Sequence, residues 1–199
     1  MGSEVLESGD YTVASKLTIP SAATVNRLNH SMLRIRNPEA SLAFYRDVFG
    51  MSQTFSMNAG PFSIYYLAFP APGDEVPSDI LKTSGLRSGL LELVHVHETA
   101  ERNGGVTSAE KSCSEMVRTG FGHLGFSVPD VNALLRKGES AGYEVLKWPG
   151  DISLGALELL DASCQHMLHD RFRGLYTQVG FLRDPDGYSI EVLPTRIQR

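Results

Sequence analysis

Cysteine is scarce in this 199-residue chain: Cys113 and Cys164 are its two, far apart and outside any CxxC pattern. A disulfide framework is therefore unsupported, and a reducing compartment, the cytoplasm, is the expected setting. Neither thiol has a base partner in sequence, so nucleophilic cysteine catalysis has no support. A basic excess is also missing, with 18 Lys and Arg against 23 Asp and Glu and a formal net charge of -5, which argues against a nucleic-acid partner. No apolar run approaches the roughly 20 residues that a membrane-spanning helix requires. The opening "MGSEVLESGDYTVASKLTIP" lacks the basic start and apolar centre of a signal peptide, and Leu6 breaks the myristoylation pattern. Residues 1–25 read as a polar N-terminal arm, disordered or draped on a partner. What is present, 42% hydrophobic and 21% charged residues, is the composition of an ordinary globular protein with enough chain to bury a core.

One pattern is written twice. "LNHSMLRIRN" alternates as a strand, projecting His30, Met32 and Arg34 from one face and Ser31, Leu33 and Ile35 from the other. In "NPEASLAFYRDVFGM", Asn37 is an N-cap, Pro38 suits the first helical position, Leu42, Tyr45 and Phe49 fall at helical spacing, and Gly50 stops the helix. "FSIYYLAF" and "GLLELVHVH" read as strands, joined by the proline- and glycine-punctuated connection "PAPGDEVPSDILKTSG". After Gly120 the order returns. "GHLGFSVPD" is a strand, "DVNALLRKGESAGYEV" is helical with Asp130 as cap and Gly142 as stop, and "TQVGFLRDPDGYSIEVLP" is a hairpin turning at Asp184 to Gly187. The repetition predicts an internal duplication packed as one unit.

The repeat singles out four residues. His30 opens the first copy and Glu92 lies in its last strand; His123, inside "GFGHLGF", opens the second and Glu191 lies in its last strand. Glu191 shares a face with Ser189 and Leu193, and Glu92 with Leu90 and Val94. A carboxylate among apolar neighbours on an inward face is costly unless paired or metal-bound. Two imidazoles and two carboxylates brought together by a pseudo-twofold suit one divalent ion, whether zinc, nickel, cobalt, iron or manganese.

The motifs "LNHSMLRIRNPEASLAFYRDVFGM", "PFSIYYLAF", "LLELVH", "GFGHLGFSVPDV" and "FLRDPDGYSIEVL" resemble, in order, those of glyoxalase I, the lactoylglutathione lyase of the vicinal oxygen chelate superfamily. The resemblance implies an α+β fold of paired βαβββ modules forming half-open barrels: one domain over 26–199, with module one at about 26–100 and module two at about 120–195. It implies His30, Glu92, His123 and Glu191 as metal ligands and a homodimer with sites at the interface. It further implies proton transfer through a metal-stabilised enediolate, Glu191 being the first candidate for the catalytic base and Glu92 the second carboxylate. The first candidate substrate is the methylglyoxal–glutathione hemithioacetal, with Arg34 contacting the peptide carboxylate.

Two departures qualify that substrate. The family's Asn four residues past the first Glu is Val96, and its Arg four before the second His is Thr119, with Arg118 adjacent but on the opposite strand face. An enlarged segment at about 155–176 carries Leu157, Leu159, Leu160, Met167 and Leu168, and reads either as a longer apolar lid or as an excursion capping the sheet. These departures support an alternative: a diverged enzyme of the same fold acting on a bulkier carbonyl or phenolic compound in a biosynthetic pathway. A third reading is a non-catalytic small-molecule-binding protein. His95 and His97 face away from Glu92 and read as packing groups, and His166 and His169, though spaced i, i+3, lack further ligands.

Overall fold

The computed structural model describes residues 26–97, 121–153, 155–157 and 169–197. The arm at 1–25 and Cys113, Arg118, Thr119, Cys164 and His166 lie outside the described residues. The chain divides into two compact units, one over Asn26–Met116 and one that includes Val117–Arg199.

The first unit runs β1 (His30–Ile35), α1 (Pro38–Asp47), β2 (Ser52–Asn58), β3 (Phe62–Ala68), α2 (Pro77–Lys82) and β4 (Leu90–Val96). Its sheet has the order β1-β4-β3-β2, with β1 parallel to β4 and the other pairs antiparallel. The alternation of β1 holds: Leu33 and Ile35 are buried, whereas His30, Met32 and Arg34 are exposed on the other face. Asn37 caps α1, its Oδ1 accepting from Ala40 N at 3.2 Å, and Gly50 leaves it with φ 81°. The buried stripe is Ser41, Phe44, Tyr45 and Val48. That stripe is one residue earlier than the Leu42–Tyr45–Phe49 spacing predicts, because the helix presents Phe44 to the core and leaves Leu42 and Phe49 half-buried. Burying a side chain the size of Phe44 contributes roughly 2–3 kcal/mol.

Between β3 and β4 the chain is more ordered than its prolines and glycines suggest. Asp79 Oδ2 accepts from Glu75 N and Val76 N, both at 3.2 Å, which starts α2. Ile80 then packs with Ala68, Leu90 and Tyr66. After the 3₁₀ turn Ser84–Leu86, Arg87 grips Asp74 with two bonds of 2.9 and 2.6 Å and holds the Asp74 carboxyl below the usual range.

The second unit repeats the plan with β5 (His123–Val128), α3 (Val131–Ser140), β6 (Val145–Lys147), α4 (Asp170–Tyr176), β7 (Gly180–Arg183) and β8 (Ser189–Pro194), in sheet order β5-β8-β7-β6. Asp130 caps α3, accepting from Ala133 N at 2.9 Å. Gly142 ends the helix as its sequence suggests, with φ 89°, and Val145 and Lys147 beyond it pair with Leu182 and Phe181 as strand. The β7–β8 hairpin turns where "DPDG" predicts, with Gly187 N donating to Asp184 O at 3.0 Å. Gly180 is required by close approach, since a β-carbon there would strike Leu135 of α3 and meet Lys147 O at 3.1 Å. The architecture is α+β, two four-stranded sheets of matching strand order, each a βαβββ plan with one short extra helix, α2 before β4 in the first and α4 before β7 in the second. No helix among the described residues is long and apolar enough to cross a membrane.

Candidate functional site

The strand registers align the two units residue by residue. In the first, Met32, Glu92, Tyr66 and Phe55 form one cross-sheet row; in the second, Gly125, Glu191, Phe181 and Lys147 do. Each histidine stands one same-face step before its row on the edge strand, so it reaches the carboxylate diagonally. His30 Nε2 lies 3.2 Å from Glu92 Oε2, and His123 Nε2 lies 3.4 Å from Glu191 Oε2. The imidazoles also rest edge-on against matching aromatics, His30 on Tyr66 and His123 on Phe181, each with centroids 5.6 Å apart.

These pairs fit a divalent ion. Two donor atoms each about 2.0–2.2 Å from one cation, at angles between a right angle and a tetrahedral one, stand about 3.0–3.5 Å apart, and both observed separations fall in that range. Within each unit no third His, Cys, Asp or Glu among the described residues joins the pair. Each pair, His30 with Glu92 and His123 with Glu191, thus offers two of the donors that a divalent ion needs.

The two carboxylates differ. Glu92 Oε2 also accepts from the Tyr66 hydroxyl at 3.0 Å, and the Tyr66 ring is stacked on Phe55 at 5.0 Å. Burial, then the bond to Glu92 and its charge, push the Tyr66 phenol up to about 12, so it stays a donor throughout the physiological range. In the second row Phe181 occupies the equivalent place and offers no hydroxyl. Glu191 is accordingly the less tethered carboxylate, and its side chain is 25% exposed against 16% for Glu92. Reading "FSIYYLAF" as a strand does not reveal this role; its signal is the pairing of Tyr66 with Glu92 across β3 and β4.

Arg34 is exposed on the His30 face, opposite Val94. Val96 follows Glu92 and Val94 on that face and is 52% exposed. His97 is held by Ser63 Oγ at 2.9 Å and Gly60 O at 2.7 Å, a packing role as expected. His169 caps α4, its Nδ1 accepting from Arg171 N at 3.2 Å.

The described ends of the enlarged segment pack onto the face that carries Glu191. Ala156 and Tyr176 cluster with Val179, Phe181 and Leu193, and Ser189 Oγ donates to Ala156 O at 3.2 Å. Leu159, Leu160, Met167 and Leu168 lie outside the described residues. Lys147, unanticipated from sequence, is buried beneath Tyr176: its Nζ donates to Tyr176 O at 2.8 Å and Val179 O at 2.7 Å and sits 4.2 Å from the Tyr176 ring centre. Burial brings its ammonium down to about 8, against the opposing charges of Asp151 and Glu191.

The chain is 34% identical over 173 residues to a lactoylglutathione lyase of Pseudomonas aeruginosa, covering 83% of this chain and 80% of that one. It is 30% identical over 179 residues to glyoxalase I of Saccharomyces cerevisiae and 32% identical over 184 residues to a lactoylglutathione lyase of Schizosaccharomyces pombe. These matches cover 88% and 91% of this chain, which spans about half the length of the two yeast proteins, 45% and 49%. Among solved structures, the trypanothione-dependent glyoxalase I of Leishmania major superposes with a TM-score of 0.50 at 21% identity, covering 85% of this chain and 87% of that one. The glyoxalase I of Zea mays superposes with a TM-score of 0.51 at 19% identity, covering 87% of this chain and 44% of that one. Both speak to the fold alone. With the family model matching residues 27–192, across both repeats and both His–Glu pairs, the chain belongs to the Glyoxalase/Bleomycin resistance protein/Dioxygenase superfamily.

Proposed function

We propose that this protein is a metal-dependent lyase/isomerase of the glyoxalase I type, with the methylglyoxal–glutathione hemithioacetal as first candidate substrate. The observation that carries the reading is the His–Glu diagonal built twice at one register, His30 with Glu92 and His123 with Glu191. The relatives named lactoylglutathione lyase at 32% and 34% identity support it. In this proposal the four side chains hold one divalent ion, contributed by one chain or by two copies in a homodimer, and the two modules act as a single domain in the cytoplasm.

A divalent ion in such a site supplies Lewis-acid stabilisation of the negative charge developing on adjacent substrate oxygens. The protein's part is proton transfer. Glu191, the less tethered carboxylate, takes the proton from the carbon bearing the hydroxyl and returns it to the neighbouring carbon, while the hydroxyl proton passes to the neighbouring oxygen, so that hemithioacetal becomes 2-hydroxy thioester with no external oxidant. Glu92, tied by Tyr66, keeps its orientation as a ligand. Arg34, on the His30 face, provides a cation for a substrate carboxylate.

The test is a methylglyoxal and glutathione assay on metal-free protein reloaded with zinc, nickel, cobalt, iron or manganese. Metal-dependent growth of thioester absorbance is the expected result; metal-loaded protein without turnover overturns the substrate. Val96, apolar and exposed on the Glu92 face, favours a second reading in which the same chemistry acts on a bulkier, less polar carbonyl or phenolic compound.

A further inference from the structure

We propose that Asn29 is a positioning residue that fixes the tautomer and ring orientation of His30, so that Nε2 is the nitrogen offered to metal. This rests on the reading of His30 as a ligand. The Asn29 amide nitrogen donates to two backbone carbonyls, Ser84 O at 2.8 Å and Arg87 O at 3.0 Å, which uses both of its hydrogens. Its oxygen therefore faces His30 Nδ1 at 3.0 Å as an acceptor. A flipped amide would set its oxygen against two carbonyl oxygens. With Asn29 locked in this sense, its oxygen accepts from His30 Nδ1–H and turns Nε2 towards Glu92 Oε2 at 3.2 Å, so that a metal ion held between the two would take Nε2.

The lock reaches outward through the β3–β4 connection. Leu90 N donates to Asn29 O at 3.1 Å, tying the residue to the start of β4. The two carbonyls that read the amide belong to the turn closed by Arg87, whose guanidinium grips Asp74 and donates through Nε to Thr83 Oγ1 at 2.8 Å. At the matching place in the second unit Gly122 precedes His123 and offers no side chain to its ring. His123 therefore serves as a control within the same molecule.

The experiment records imidazole nitrogen shifts in ¹⁵N-histidine-labelled protein before and after zinc is added, with zinc affinity from chelator competition, for the wild type, N29A and N29D. Zinc-loaded wild-type His30 is expected as the Nδ1–H tautomer. N29A should move His30 away from that tautomer without altering His123, and weaken zinc roughly ten- to a hundredfold. N29D sets an oxygen against the Ser84 and Arg87 carbonyls, so it should lose the lock and behave as N29A does. An N29A protein whose His30 signals and zinc affinity match the wild type overturns the proposal. So does an N29D protein that keeps the wild-type signals and affinity, since the two donors of the amide would then fix nothing. A wild type that binds no zinc while its His30 tautomer still depends on Asn29 sinks the metal reading and leaves the orienting role standing.

Discussion

The Tyr66 hydroxyl and the Glu92 carboxylate face each other across β3 and β4 at 3.0 Å, whereas Glu191, at the same place in the second sheet, faces Phe181 and has no such donor. The two His–Glu pairs have nearly equal spans, 3.2 and 3.4 Å, and differ in the aromatic residue beside the carboxylate. A ligand that must stay put gains from a fixed donor, and a base that must swing between two carbons does not.

Tyr66→Phe should keep the ring stacked on Phe55 and remove only the bond to Glu92. A hydrogen bond to a charged acceptor contributes about 1.5–3 kcal/mol net, and partial exposure places this one at the low end, about tenfold in metal affinity. Chelator competition measures it, with thermal unfolding expected to change little. Unaltered affinity would show that Glu92 needs no help from Tyr66.

Glu191→Gln and Glu92→Gln should separate by kinetics. Losing the base costs on the order of 10²–10⁴ in kcat, so the Glu191 variant should bind metal measurably and turn over little. The Glu92 variant should lose metal first and recover part of its kcat at saturating metal. Steady-state assays across a metal titration make the comparison, and equal behaviour of the two variants would erase the proposed division of labour.

Much of this was legible in the residues, for reasons that differ by element. β1 declares itself because Leu33 and Ile35 alternate with polar neighbours, and α1 because Asn37, Pro38 and Gly50 mark both ends. β2 carries little periodic signal: "SQTFSMN" is mostly half-buried or exposed, and its register slips between Gln53 and Phe55. β6 is three residues long, too short to carry an alternating pattern of its own. The His–Glu pairs were visible through the repeat, whereas Tyr66 and Asn29 were not, because a hydroxyl in an aromatic run and an amide beside a histidine acquire meaning only from strand register and a distant turn. Lys147 was invisible for the same reason, since its carbonyl partners lie 29 and 32 residues away.

Lys147 also predicts a pH dependence. Its folded value of about 8 lies below the ordinary 10.5, so folding disfavours the charged form. That penalty is complete below about pH 8 and is relieved as pH rises towards 10.5, because across this window the unfolded chain binds the extra proton. Urea midpoints of the wild type should therefore gain on those of Lys147→Met between these two values. The variant should also be less stable throughout, because buried carbonyls left without a donor cost about 1–3 kcal/mol each. Parallel stability curves would show that the ammonium is not penalised by burial.

Val96→Asn tests which substrate the Glu92 face is built to take. Val96 is 52% exposed, so the exchange should leave stability nearly unchanged. The resemblance to glyoxalase I expects an amide here, two same-face steps beyond Glu92, to contact the peptide. If a glutathione adduct is the substrate, adding that amide supplies a contact made equally in the ground and transition states, which lowers KM and leaves kcat alone. At about 1.5–3 kcal/mol for a bond to a charged group, the fall in KM is roughly 10- to 100-fold. If the pocket serves a bulkier apolar compound, the same change instead desolvates an amide against it and raises its KM. Measuring both parameters for the glutathione hemithioacetal decides between them, and a KM unmoved by the substitution would place the peptide away from Val96 altogether.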